Sequence, residues 1–150
     1  MDGESHFRFL ERMYSVAPVN AFYKPTMTIS EGRAEIEIMA SQQHHHSAGA
    51  VHGSVYFKML DDAAYFAASS LEDEYFILTT SFTTYLTRPI VSGNMRAVGK
   101  VVNRSKSQII AESVVYDSDD KEIGRGNGLF VRGRQRLAEI DVPDELNTYD

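Results

Sequence analysis

The sequence predicts an α+β fold in which a curved antiparallel sheet wraps around one long central helix, with a short helix ahead of it. Three observations carry this reading. The segment from about Gly53 to Ser70 is apolar on nearly every side and holds alanine at 63, 64, 67 and 68, the pattern of a helix buried all round. After it the apolar period changes to two and stays there through Phe76–Leu86, Met95–Asn103, Gln108–Tyr116 and Lys121–Val131, which read as four strands in a meander. Ahead of it, Met27, Ile29, Ala34, Ile36 and Ile38 alternate with polar residues on either side of Glu31–Gly32, giving a hairpin or one bent strand.

The remaining elements follow in order. Phe7, Phe9, Leu10, Met13 and Tyr14 recur near helical spacing and predict a short amphipathic helix that Pro18 closes. Ser41–Gly49 is a polar loop without periodicity. Pro89 with Gly93, Asn103–Ser107 and Asp117–Asp120 punctuate the gaps between the late strands, and the last two strands form a hairpin. Gly124-Arg125-Gly126-Asn127-Gly128 lies inside the final strand and marks a bulge or a tightly packed strand crossing. Residues 1–132 are read as one domain and 133–150 as a polar, frayed tail. A sheet of this kind leaves strand edges free to pair with a second copy, so a homo-oligomer is expected.

Composition narrows the chemistry. The 150 residues, 43% hydrophobic and 24% charged, suit one domain with its own core. With no cysteine, disulfides, thiolate catalysis and cysteine-ligated zinc are excluded. The net charge of -6 argues against a nucleic-acid partner. Between Arg88 and Arg136, however, lie ten of the fifteen Lys and Arg residues and only five acidic ones, either alternating solvated strand faces or a cradle for a phosphorylated ligand. No apolar run approaches the roughly 20 residues that span a bilayer, and Met1-Asp2-Gly3-Glu4 lacks the basic and apolar stretches of a signal peptide. No membrane partner is expected, and the expected location is cytoplasmic.

The segment from Gly49 to Ala63 concentrates the candidate chemistry. Gly53 stands at a helix start, where free N–H groups and the positive dipole end can hold an oxygen acquiring charge. Ordinary capping by Ser54 or His52 is the alternative. Asp61 and Asp62 sit about two turns inside the apolar helix, about 100° apart, so they are expected to meet different environments. A carboxylate buried there gains proton affinity and suits general-base work, whereas one at the surface would pair with Lys58. His44-His45-His46 has no completing ligand spacing such as HExxH. A hydrogen-bonding role is therefore favoured over a metal site, and no cofactor is implied. Phe57, Tyr65, Phe66, Phe76 and Phe82 could line a pocket for an aromatic or medium aliphatic group or belong to the core.

Gly49-x-x-His52-Gly53-x(7)-Asp61, followed by Ala63 and Ala64, resembles the helix signature of the phenylacetate-pathway-type hotdog thioesterases. Leu86-Thr87-Arg88-Pro89, shortly before Gly93, resembles the strand ending of the same family, and the agreement covers about residues 27 to 132. The resemblance implies a hotdog-fold acyl-CoA thioesterase that needs no cofactor, forming a dimer or tetramer with active sites at subunit interfaces. It implies that the Gly53 amide polarises the thioester carbonyl and that Asp61 activates water or attacks directly. His52 then shapes the turn, and Thr79, or Thr80 one register on, holds the water. Two positions depart from the pattern: Ser54 replaces a second glycine, where its hydroxyl can cap the helix, and His46 replaces an Asn or Asp that contacts the thioester or the water. Arg104-Ser105-Lys106-Ser107 would meet the CoA phosphates and Arg88 would line the entrance. The rivals are a hotdog hydratase or dehydratase, opposed by the absence of proline between Ser41 and Asp61, and a non-catalytic acyl-CoA sensor.

Overall fold

The computed structural model describes residues 2–149. They form α1 (Gly3–Ser15), α2 (Asn20–Tyr23), β1 (Thr26–Ser30), β2 (Arg33–Ala40), α3 (Gly53–Ser69), β3 (Tyr75–Leu86), β4 (Gly93–Arg104), β5 (Ile109–Tyr116) and β6 (Glu122–Arg136), with 3-10 turns at Gln42–His44 and Leu137–Glu139. The strands make one sheet in the order β1-β2-β4-β5-β6-β3, and every neighbouring pair is antiparallel. Residues 31 and 32 form the turn of a β1–β2 hairpin rather than a bend in one strand.

The core lies between the sheet and α3. Ile36, Ile38, Met95, Ala97, Ala111, Val115, Ile123 and Phe130 from the strands, and Met59, Leu60, Ala63, Ala64 and Ala67 from the helix, are all buried. Deleting one of the larger side chains would cost about 2–5 kcal/mol. The alanines are explained by how closely the helix sits. A Cβ on Gly99 of β4 would lie 2.1 Å from the Ala63 carbonyl oxygen, so helix backbone meets sheet backbone there. Gly99 pairs across to Ser113 of β5, whose buried hydroxyl donates to the Leu60 carbonyl at 2.7 Å. A curved sheet pinned around one helix is the hotdog arrangement.

The strand order departs from a simple meander. β4, β5 and β6 do meander, with β5 and β6 as the expected hairpin, but β3 pairs with β6 at the far edge. The glycines of β6 fix this choice: a Cβ on Gly128 would lie 2.5 Å from the Phe82 ring of β3, so the glycine run marks a tight strand crossing. The chain from residue 87 to 92 then crosses the open end of the fold. On the way it accepts hydrogen bonds from Val51 N–H at the Ile90 carbonyl (2.9 Å) and from the His45 ring at the Val91 carbonyl (2.6 Å).

The two outer strands are finished differently. Along β1, Arg8 of α1 donates to the Ile29 carbonyl (2.8 Å) and Glu11 accepts from the Ile29 N–H (2.8 Å). These two side chains, themselves ion-paired at 2.9 Å, stand in for a neighbouring strand. β3 instead presents Leu78, Tyr85 and Leu86, each at least half exposed.

The termini also differ from expectation. α1 starts at Gly3, where Asp2 caps it through the Ser5 N–H (2.8 Å). The short α2 follows, too brief to carry a period. β6 runs to Arg136, five residues beyond the expected end, and Leu137 is buried. In place of a frayed tail, Asn147 and Tyr149 hydrogen-bond Ser15 at the end of α1.

Candidate active site

The functional residues named from the sequence fall along α3 in three places. At its start, His52 is the N-cap, with its Nδ1 accepting from the Ser54 N–H at 3.0 Å and lying 2.8 Å from the Ser54 hydroxyl. The Val55 N–H takes the His52 carbonyl. Among the described residues the Gly53 N–H has no acceptor. Capping and a spare donor therefore coexist on neighbouring amides. Gly53 lines a cleft of about 280 Å³ with His46, Val51, Tyr56 and the run Leu86-Thr87-Arg88-Pro89. Gly53 and Leu86, 33 residues apart, bring both sequence motifs to this cleft because the β3–β4 crossing passes the helix start. Tyr56 fixes that crossing by donating from its hydroxyl to the Arg88 carbonyl (2.8 Å).

The three histidines diverge. His44 is buried against Phe22 and stacked on Tyr23, accepting from the Ser41 N–H through Nδ1, and burial pushes its proton affinity down. His45 bonds the Val91 carbonyl. Only His46 lines the Gly53 cleft, its Nδ1 taking the Ala48 N–H at 3.0 Å.

Two turns along α3, Asp61 faces a second cavity of about 330 Å³, open to solvent on one side and lined by residues of α1, the α1–α2 link, α2, α3 and β3. Its walls include Met13, Tyr14, Val19, Tyr65, Phe66, Phe76 and Leu78. The Thr79 hydroxyl donates to Asp61 Oδ1 at 3.1 Å, which leaves Oδ2 for another partner. Burial, then the neighbouring Asp62 charge, raise the Asp61 pKa from 3.8 to about 6, against smaller lowering effects of the Thr79 hydrogen bond and Lys58. A bulge between Thr79 and Ser81 changes the strand's alternation. It sets Thr79 toward the helix, and Phe82 beyond it against Phe57 (ring centroids 5.6 Å). Thr80 is the residue at the bulge and donates to the Leu129 carbonyl (3.0 Å), away from Asp61.

The expectation that Asp61 and Asp62 meet different environments does not hold. Both line the same cavity, because α1 and α2 close over a face of α3 wider than the 100° between the two side chains. Asp62, not Asp61, takes Lys58, four residues back, at 2.8 Å, and also accepts from the Tyr14 hydroxyl at 2.6 Å. Neither side chain of the pair is at the surface: Asp62 is 18% exposed and Lys58 13%. The Lys58–Asp62 spacing was readable in advance, but nothing in the sequence assigned Tyr14, an ordinary member of an amphipathic helix.

Arg104-Ser105-Lys106-Ser107 forms the β4–β5 turn at the other end of α3, where Arg104 donates to the Leu71 carbonyl. These four line a small groove with Gln108, Glu72 and Arg132. Arg132, which the sequence reading did not single out, is paired with Glu72 at 2.7 Å.

These features can be set beside known proteins. The thioesterase superfamily model matches residues 48–123, half of the chain, a stretch that includes Gly53, Asp61 and Thr79. The Escherichia coli PaaI protein from the phenylacetic acid degradation operon superposes with a TM-score of 0.81 at 16% identity, over 89% of this chain and 97% of that one. The Haemophilus influenzae thioesterase HI1161 does so at 0.75 and 15%, over 89% and 92%. A protein of Saccharolobus solfataricus that carries an esterase name is 24% identical over 95 residues, 63% of this chain and 68% of its own. The structural likenesses establish the hotdog fold. The family match, over half of the chain, settles the classification: the chain belongs to the thioesterase superfamily and is a thioester hydrolase.

Proposed function

We propose that the protein hydrolyses acyl-CoA thioesters at a site completed between two copies of the chain, with Gly53 of one protomer facing Asp61 of the other. The observation that carries this reading is Asp61 itself, a carboxylate with an unusually high proton affinity, steadied by Thr79 at the wall of an apolar cavity. A group with a pKa of about 6 exchanges protons readily near neutrality, as a general base must. The apolar walls suit an acyl chain, as the matched superfamily suggests.

The need for two copies comes from helix geometry. Gly53 and Asp61 lie eight residues apart on one helix, a rise of about 12 Å. A carbonyl held by the Gly53 N–H therefore cannot also lie within reach of a water on Asp61 of the same chain. The exposed edge of β3, with Leu78, Tyr85 and Leu86 and with Phe57 of α3 close by, is the surface on which a second copy would bury apolar area. Whether dimers pair further into tetramers does not alter the site.

In the proposed step Asp61 Oδ2 takes a proton from water as the water oxygen bonds to the thioester carbon. The Gly53 N–H and the positive end of α3 hold the oxyanion. The C–S bond then breaks, and the departing sulfur of CoA receives the proton that Asp61 holds. His46, beside Gly53, positions the thioester, while His52 and Ser54 keep the first turn of the helix in shape. The turn at Arg104-Ser105-Lys106-Ser107 is assigned to the phosphates of CoA and Arg88 to the entrance.

The test is thiol release from a panel of acyl-CoAs. Wild-type protein is expected to hydrolyse at least one of them, and Asp61→Asn to lose about a thousand-fold in kcat/KM on it. Equal rates for the two proteins on every substrate would remove Asp61 from the mechanism.

A further inference from the structure

Asp62 is held more tightly than packing requires. Its Oδ2 accepts both the Lys58 ammonium (2.8 Å) and the Tyr14 hydroxyl (2.6 Å). Lys58 Nζ in turn lies over the Tyr14 and Tyr23 rings, at 5.4 and 4.9 Å from their centroids. Three elements, α1, α2 and α3, thus converge on one ion pair whose carboxylate is adjacent in sequence to the proposed base. A largely buried ion pair is a weak way to dock a helix, since an apolar pair of the same volume usually serves as well or better. The arrangement needs another reason, and the cavity shared with Asp61 supplies one.

We propose that Asp62 and Lys58 are positioning residues for the Asp61 carboxyl, an ion pair of opposed influence that sets how readily Asp61 takes up and returns a proton. The inference rests on the reading of Asp61 as the base. Tyr14 acts as the tether that keeps the pair in place and ties α1 to it. The ionisable groups that face Asp61 are Asp62, Lys58 and Tyr65 on its own helix and Tyr14 on α1, and β3 contributes the Thr79 hydroxyl. Tyr65 is committed to the Ile77 carbonyl at 2.8 Å. Burial, then the aspartate charges, push both tyrosines above their ordinary range, which leaves Asp62 and Lys58 as the charges that act on Asp61 near neutrality. Their influences oppose: the Asp62 carboxylate raises the proton affinity of Asp61 and the Lys58 ammonium lowers it.

The experiment compares the pH dependence of kcat/KM in wild type, Asp62→Asn and Lys58→Met. Each variant deletes the same ion pair. Asp62→Asn is expected to move the acid limb down by about one pH unit and Lys58→Met to move it up by a similar amount. A purely structural role would lower kcat in both and leave the limb in place. A 13C titration of the Asp61 carboxyl follows the same quantity in a variant that has lost turnover. The proposal is overturned if both variants leave the midpoint unmoved or shift it in one direction. Asp61→Asn in the same series separates the two levels. If it keeps wild-type turnover, the reading of Asp61 itself fails. If it is inactive while the midpoints do not move, only the positioning role fails.

Discussion

The first turn of α3 and its middle, the two places the proposed reaction would use, are built in opposite ways. At the first turn the proposed oxyanion donor is a backbone N–H, set by the helix start and left over once His52 has satisfied the Ser54 amide. It has no charge to desolvate. In the middle the proposed base is a carboxylate set against an apolar cavity, its pKa raised to about 6 by burial and then by the neighbouring Asp62 charge. A donor supplied by backbone geometry is nearly free of energetic penalty, whereas a base supplied by a side chain stores one.

The largest expected effect breaks the first half of this comparison. Gly53→Pro removes the N–H and little else. It is the first residue of the helix, where proline fits, and His52 before it already has the extended backbone (ψ 142°) that proline demands. The Leu86 side chain, which a Cβ at 53 would approach to 2.8 Å, is half exposed and can turn aside. A loss of about a hundred- to a thousand-fold in kcat with an unchanged circular dichroism spectrum is expected. Mixing this variant with Asp61→Asn should restore about a quarter of wild-type activity, since half the dimers would carry one intact site. No recovery after subunit exchange has been demonstrated would mean that Gly53 and Asp61 do not meet across an interface.

The next effect reads the energy stored in the middle of the helix. Folded Asp61 keeps its proton up to about pH 6, whereas an ordinary carboxyl releases it near 3.8. Between those values the folded state binds the extra proton, so stability rises as pH falls through the window and the penalty is complete above it. Asp61→Asn should therefore be more stable than wild type at pH 8, by up to about 3 kcal/mol, with the difference gone by about pH 4. Denaturant titrations at the two pH values check this, and a pH-independent difference would contradict it. The smallest effect is that of Thr79→Val, about tenfold in kcat/KM at pH 7. Because the Thr79 hydrogen bond lowers the Asp61 pKa, its loss should raise the acid limb and make the defect larger at pH 6 than at pH 8. A defect of equal size at both would assign Thr79 to packing alone.

Much of this was legible in the sequence, for identifiable reasons. The all-round apolar character of 53–70 and the change of period after it locate α3 and the strands to within a few residues. The partner of β3 was hidden, because Phe82 meets the glycines of β6 through a contact between strands distant in the chain. Of the candidate site, spacing singles out Gly53, Asp61 and Thr79, but the bulge that separates Thr79 from Thr80 cannot be read from alternation, since it is the place where alternation stops. Tyr14 was invisible for a different reason. Its partner Asp62 lies 48 residues away, and only the closure of α1 over the cavity brings them together.

The hydrogen bonds of Arg8 and Glu11 to Ile29 reach beyond the single chain. If copies associate through β3, each pair has a capped β1 at both outer margins and offers no further strand to a newcomer. Two side chains on the first helix would then act as a terminator, limiting growth along the hydrogen-bonding direction to one pairing and keeping a strand-rich protein from extending into a fibre.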